Sequence, residues 1–185
     1  MRTSYIFLAE GFEEIEAITI VDVLRRAGMP VKTVSITPLD NVRGAHGVEV
    51  TADVRFADTD FSDAEWLICP GGLPGSTNLA DYAPLCELLK HHRRGVAAIC
   101  AAPAVVLAPL GLLQGKEATG YPGFEEALVL GGASVRKGAA VVALDDVITA
   151  AGPATAAPFA LAIVASSLGT GIAREIASGM LLPLD

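Results

Sequence analysis

The chain has 185 residues, which fits one domain, and 52% of them are hydrophobic against 18% charged, so a buried core is available and wholesale disorder is excluded. The formal net charge is −8 and no run of Lys or Arg exceeds Arg93-Arg94. A nucleic-acid partner, which needs a basic patch, is therefore not expected.

Tyr5 to Leu8 reads as a first buried strand, ending at Glu10-Gly11. The apolar run here is too short for a signal peptide. Glu13 to Ala27 carries helical spacing, which predicts Ile15, Ile18, Ile20, Val23 and Leu24 on the inner side. Acidic residues crowd its first turn and Arg25-Arg26 its last, as the helix dipole favours, and Gly28 and Pro30 stop it. Val31 to Ile36 is a second strand. Glu49 to Ala52 alternates and predicts an edge strand within an otherwise irregular segment, and Asp58 to Glu65 reads as turn. Trp66 to Cys69 is a third buried strand, running into Pro70-Gly71-Gly72.

Pro84 to Arg94 is a predicted helix closed by Gly95. Val96 to Ile99 is the next strand, Cys100 follows at once, and Ala101 to Leu110 reads as helix with Pro103 in its tolerated first turn. The uncharged stretch from Val96 to Leu113 is long enough to suggest a membrane span, but its prolines and Gly111 favour a buried strand followed by a buried helix, so no membrane partner is expected. Phe124 to Leu130 looks helical. Ala140 to Leu144 and Val147 to Thr149 predict two strands around an Asp145-Asp146 turn, and Thr155 to Leu168 and Gly171 to Leu181 predict helices. Strands alternating with helices imply a parallel sheet covered on both faces. The ligand crevice of such a sheet lies beyond the carboxyl ends of its strands, where Glu10–Glu16, Pro70–Gly75 and Cys100–Ala102 arrive.

Three features carry chemistry. A strand that turns directly into a helix sets Cys100 on a sharp elbow of the kind that exposes a nucleophile, at a helix N-terminus where a thiolate is favoured and the thiol pKa falls. A buried, inert cysteine is the competing reading. Gly71 and Gly72 let the backbone turn its N–H groups inward, and the Gly72 N–H paired with that of Ala101 would form an anion pocket; an ordinary turn is the alternative. Glu16 shares an inward stripe with Ile20, Val23 and Ala27, whereas Glu14 falls on the wet side with Asp22 and Arg25. The pattern does not exclude Glu13. A carboxyl facing a thiol in a low-dielectric crevice should keep its proton and titrate with the sulfur as a unit. His91 and His92 read as surface residues, and His46 either reaches a pocket or faces water. No His follows Cys100, so a Cys–His hydrolase with a downstream base is not available. Cys69 and Cys86 read as packing groups. The odd cysteine count, without metal-ligand spacing, reads as reduced thiols in a cytoplasmic protein with no metal site.

The segments Ala9-Glu10-Gly11-Phe12-Glu13-Glu14-Ile15-Glu16-Ala17, Cys69-Pro70-Gly71-Gly72, Ala97-Ala98-Ile99-Cys100-Ala101-Ala102-Pro103, Thr119-Gly120-Tyr121-Pro122 and Gly152-Pro153-Ala154-Thr155 occur in an order that resembles the ThiJ/PfpI superfamily, in its DJ-one branch with the bacterial YajL-type proteins. The resemblance covers nearly the whole chain. It implies one domain over 1–185 with a flavodoxin-like, doubly wound, mostly parallel α/β sheet of the class I glutamine-amidotransferase kind, and a cytoplasmic homodimer. It implies Cys100 as the reactive, oxidisable cysteine, Glu16 as its protonated partner, and Gly71, Gly72 and Ala101 as the anion pocket, with His46, Tyr121, Gly152 and Pro153 as further pocket residues and no cofactor. The activity it implies is that of a stress-response enzyme acting on reactive dicarbonyls or their protein adducts, a glutathione-independent glyoxalase or protein deglycase. An oxidation-sensing redox chaperone is the alternative. A cysteine peptidase is disfavoured by Ala101, because the protease side of the superfamily has His there. Tyr121, Ala151 and Ala154 stand where the branch carries a pocket His, an Arg or Gln, and a Gly, and His46 stands where relatives have Arg.

Overall fold

A computed structural model describes residues 1–183. The strands are β1 (Thr3–Leu8), β2 (Val31–Ser35), β3 (Asn41–Arg43), β4 (Glu49–Thr51), β5 (Val54–Arg55), β6 (Ala64–Cys69), β7 (Gly95–Ile99), β8 (Glu117–Ala118), β9 (Ser134–Val135), β10 (Val141–Ala143) and β11 (Val147–Ala150). The α-helices are α1 (Glu14–Arg26), α2 (Gly75–Asp81), α3 (Ala83–His91), α4 (Glu125–Leu130), α5 (Ala156–Leu168) and α6 (Thr170–Gly179). Seven strands form the main sheet in the order β10-β11-β7-β6-β1-β2-β5, parallel throughout except for the β10–β11 hairpin. This is the flavodoxin-like arrangement expected from the alternation of strand and helix patterns.

Side chains of β1 alternate between two cores, as the pleat requires. Ile6 and Leu8 join Ile20, Val23 and Leu24 of α1 and Phe159 and Ile163 of α5 on one face. Tyr5 and Phe7 join Leu67 of β6, Leu79 of α2, Leu85 and Leu89 of α3 and Leu128 of α4 on the other. Burial on both faces explains why these strands read as continuous apolar runs. Among the described residues, no helix is long and apolar enough to cross a membrane.

Several local expectations are corrected. Ile15 and Ile18 are not inward; they are 58% and 44% exposed. They share a helix face with Asp22 and Arg25, opposite the Glu16–Ile20–Val23 stripe. Glu14 is buried rather than wet, because the 44–48 loop folds over it. Glu49–Thr51 is not an edge of the main sheet but half of a separate β3–β4 hairpin, the true edge being Val54–Arg55. The strand before Cys69 starts at Ala64, inside the expected turn. Gly95 does not close α3, which ends at His91, but begins β7. It lies flat against the Trp66 indole, where a Cβ would come within 2.5 Å of the ring. The segment after Cys100 is not a regular α-helix: Pro103–Leu107 is π-helical, with the Ala108 N–H donating to the Pro103 carbonyl at 2.9 Å.

Candidate active site

β1, β6 and β7 lie side by side, and the chain winds outward in opposite directions from the β1–β6 pair. A crevice opens at the carboxyl ends of strands at such a reversal point. The three turns that follow these strands deliver Glu13–Glu16, Gly71–Gly72 and Cys100, as expected from the sequence.

Cys100 sits one residue past β7 with φ 65°, a left-handed conformation that costs a non-glycine residue on the order of 1–3 kcal/mol. Its neighbours fix that conformation. The Cys100 N–H donates to the Ala150 carbonyl at 2.9 Å, and its own carbonyl accepts the Tyr121 N–H at 2.8 Å. The elbow is thus held by β11 on one side and the 119–122 turn on the other, and the residue is only 9% exposed.

Glu16, in the first turn of α1, is fully buried. Its Oε2 accepts the Gly71 N–H at 2.7 Å, and its Oε1 has no hydrogen-bond partner among the described protein N and O atoms. Gly71 lies against both this carboxyl and the sulfur, which interact directly. A Cβ there would stand 2.7 Å from Glu16 Oε2, 3.0 Å from Cys100 Sγ and 2.5 Å from Cys100 Cβ, so only glycine fits. Gly72 has φ 90°, and a Cβ on it would approach the Glu13 amide nitrogen to 2.5 Å. The Glu13 N–H in turn donates to the Gly71 carbonyl at 3.0 Å, tying the start of α1 to the β6 turn. Gly75 lies as close to the Gly11 carbonyl, at 2.6 Å from a hypothetical Cβ. Gly11 and Gly75 were not singled out in the sequence, although both lie within or beside the motif segments.

Burial raises the Glu16 carboxyl to about 7, against the opposing pull of the Gly71 N–H. Burial first, and the Glu16 carboxylate second, push the Cys100 thiol up to about 12, while the N–H groups of Gly72 and Ala101 draw it down. The depressed thiol expected at a helix N-terminus is therefore not what these surroundings give while Glu16 is ionised. The irregular π-helical segment offers few aligned dipoles, and the neighbouring negative charge outweighs the two donors. Two groups that each disfavour the other's charge titrate as a pair, and the proton they share rests on the sulfur while Glu16 is ionised, which leaves the carboxylate placed to take that proton. Cys69, fully buried in β6, is pushed up to about 12 by burial, and the buried Cys86 is also raised.

The rim residues are placed less tightly. Tyr121 is half exposed, and a Cβ on buried Gly152 would stand 3.2 Å from its ring. Pro153 is half-buried beside it. Ala151 lines a cavity of about 390 Å³ with Thr119, Gly120 and Thr155, beside the turn that bonds the Cys100 carbonyl. The His46 ring faces solvent and contacts carboxylates rather than the sulfur: its Nδ1 is 2.9 Å from Glu14 Oε2 and 3.6 Å from Glu13 Oε2. Those two carboxylates raise the His46 pKa, chiefly through the Glu14 hydrogen bond. Glu14 escaped the sequence reading because the loop that buries it is remote in the chain and leaves no trace in helical periodicity.

The DJ-1/PfpI family model matches residues 2–166. Protein DJ-1 homolog A of Arabidopsis thaliana is 36% identical over 185 residues, covering 98% of this chain and 47% of that protein. The chain thus spans about half the length of the plant relative. Protein dj-1beta of Drosophila melanogaster is 35% identical over 184 residues, covering 98% of this chain and 97% of that protein. Among solved structures, oxidised Toxoplasma gondii DJ-1 superimposes with a TM-score of 0.93 at 34% identity, covering 100% of both chains.

Proposed function

Because the chain belongs to the DJ-1/PfpI family, we propose that it is a cytoplasmic stress-response cysteine enzyme that converts reactive dicarbonyls, or their early adducts on protein side chains, through the Cys100–Glu16 pair. The observation that carries this reading is a fully buried carboxyl, near pKa 7, against a strained elbow cysteine, with Gly71 packed on both. A pKa close to the working pH lets one group serve as both base and acid.

With methylglyoxal, the Cys100 sulfur adds to the aldehyde carbon. Glu16 takes the sulfur's proton and passes it to the carbonyl oxygen, which gives a hemithioacetal and leaves Glu16 ionised. Glu16 then removes the hydrogen from that carbon and returns a proton to the adjacent one, leaving a lactoyl thioester. Water cleaves the carbon–sulfur bond, which releases lactate and regenerates the thiol. The sum is methylglyoxal plus water to lactic acid, with no external oxidant or reductant. The N–H groups of Gly72 and Ala101, which act on the sulfur, support stabilisation of the negative charge that develops beside it. Hydrolytic release of a dicarbonyl from a protein amine would use the same groups. Exposed Ile15 and Ile18 on one face of α1 support a homodimer through that helix.

The test is lactate formation from methylglyoxal by the purified chain. Cys100→Ala and Glu16→Gln are each expected to lower kcat/KM by about 100-fold or more. A rate unaltered by Cys100→Ala overturns the proposal. A second reading, oxidation sensing, rests on the same two N–H donors, which suit a sulfinate on Cys100. Two equivalents of peroxide would deliver its two oxygens and leave as water. The oxidised Toxoplasma gondii relative favours this reading.

A further inference from the structure

We propose that Glu13, Glu14 and His46 form a binding site for a divalent transition-metal ion, with zinc as the fitting example. None of the three is Cys100 or Glu16, although the Glu13 charge is felt by Glu16. Glu13 and Glu14 begin α1, and His46 comes from the 44–48 loop that folds over them. One ligand atom from each residue lies within 4.8 Å of the others. His46 Nδ1 is 2.9 Å from Glu14 Oε2 and 3.6 Å from Glu13 Oε2. Zinc bonds to nitrogen and oxygen of about 2.0–2.2 Å in a tetrahedron place neighbouring ligands about 3.4 Å apart, so these two separations bracket the required edge.

The surroundings favour an ion over a chance cluster. Both glutamates are only 8% exposed. Glu14 is held by its other oxygen, Oε1, which accepts the His46 N–H at 2.7 Å and the Val48 N–H at 3.3 Å. That is the outer hydrogen bonding that orients a ligating carboxylate. The Glu13 backbone is anchored through its N–H to the Gly71 carbonyl. Its carboxylate, by contrast, accepts no hydrogen bond from any described residue and is aimed at the His46 ring. The ring stands open to solvent, leaving room for a water at a fourth position. One imidazole with two carboxylates suits zinc, cobalt or iron(II), and the imidazole argues against calcium or magnesium.

The experiment uses the full, metal-stripped chain carrying Cys100→Ser, so that the elbow thiolate cannot contribute. Zinc affinity is read by competition with a chromophoric chelator, and Co²⁺ reports the ligand set by its visible absorption. One metal ion per chain is expected, bound equally in the Cys100→Ser and unsubstituted proteins, with no thiolate charge-transfer band. His46→Ala and Glu13→Gln should each weaken binding at least tenfold while near-UV circular dichroism stays unchanged. His46 is exposed, so its variant keeps the fold and decides the matter alone if Glu13→Gln does not fold. Absence of stoichiometric binding, binding lost with Cys100→Ser, or binding indifferent to His46→Ala overturns the proposal. Because no arm reads activity, its failure leaves the reading of Cys100 untouched.

Discussion

Replacing Glu16 with Gln removes an ionisation while keeping an oxygen to accept the Gly71 N–H. In the unfolded chain the Glu16 carboxyl ionises near its ordinary 4.5, whereas in the fold burial holds the proton to about 7. The sign follows from linkage: the unfolded chain gives up its proton first, so stability is undiminished below 4.5 and is lost as the pH rises toward 7. At about 1.4 kcal/mol per pH unit, the interval between 4.5 and about 7 amounts to roughly 3 kcal/mol. The glutamine variant lacks this penalty. Its stability relative to the unsubstituted chain should therefore rise by roughly 3 kcal/mol between about pH 4 and about pH 8. The constant cost of placing an amide where the unpartnered Oε1 stood cancels in that comparison, as do the shifts of all other carboxyls. Urea unfolding followed by the fluorescence of buried Trp66, the only tryptophan, measures it directly. A difference between the two proteins that stays within about 0.5 kcal/mol across this range would refute the retained proton, and with it Glu16 as an acid.

Gly71→Ala forces a methyl against both Cys100 Cβ and Glu16 Oε2; denaturant titration should show a loss of about 1–3 kcal/mol, and lactate formation should fall with it. Mild peroxide followed by mass spectrometry should place two oxygens on Cys100 before any on Cys69, whose thiol is fully buried and pushed up to about 12; oxidation of Cys69 or Cys86 ahead of Cys100 would count against the sensing reading. Ile18→Glu puts a charge on the exposed face of α1, and sedimentation should show it converting a dimer to monomers with the fold intact; an unchanged oligomer would move the interface elsewhere.

The amino-acid order alone determined the alternation of buried strands and amphipathic helices, and hence the parallel sheet, because both patterns are periodic and local. It also placed Cys100 at an elbow, Gly71 and Gly72 after the neighbouring strand, and Glu16 on an inward stripe. What it missed was decided by segments distant in the chain. α2 has the composition Gly-Ser-Thr-Asn-Leu-Ala-Asp, which shows little helical signal, and it forms where Leu79 joins the second core. Helical periodicity misassigned Ile15, Ile18 and Glu14, since a helix can be apolar on a face that the rest of the chain leaves bare and charged where a loop comes to cover it. The titration of the central pair was also beyond local reading. A helix N-terminus favours a thiolate, but the depth of the crevice and the Glu16 carboxylate beside it act on the same sulfur more strongly. Burial and charge–charge interaction depend on distance in space, and only the folded chain sets those distances.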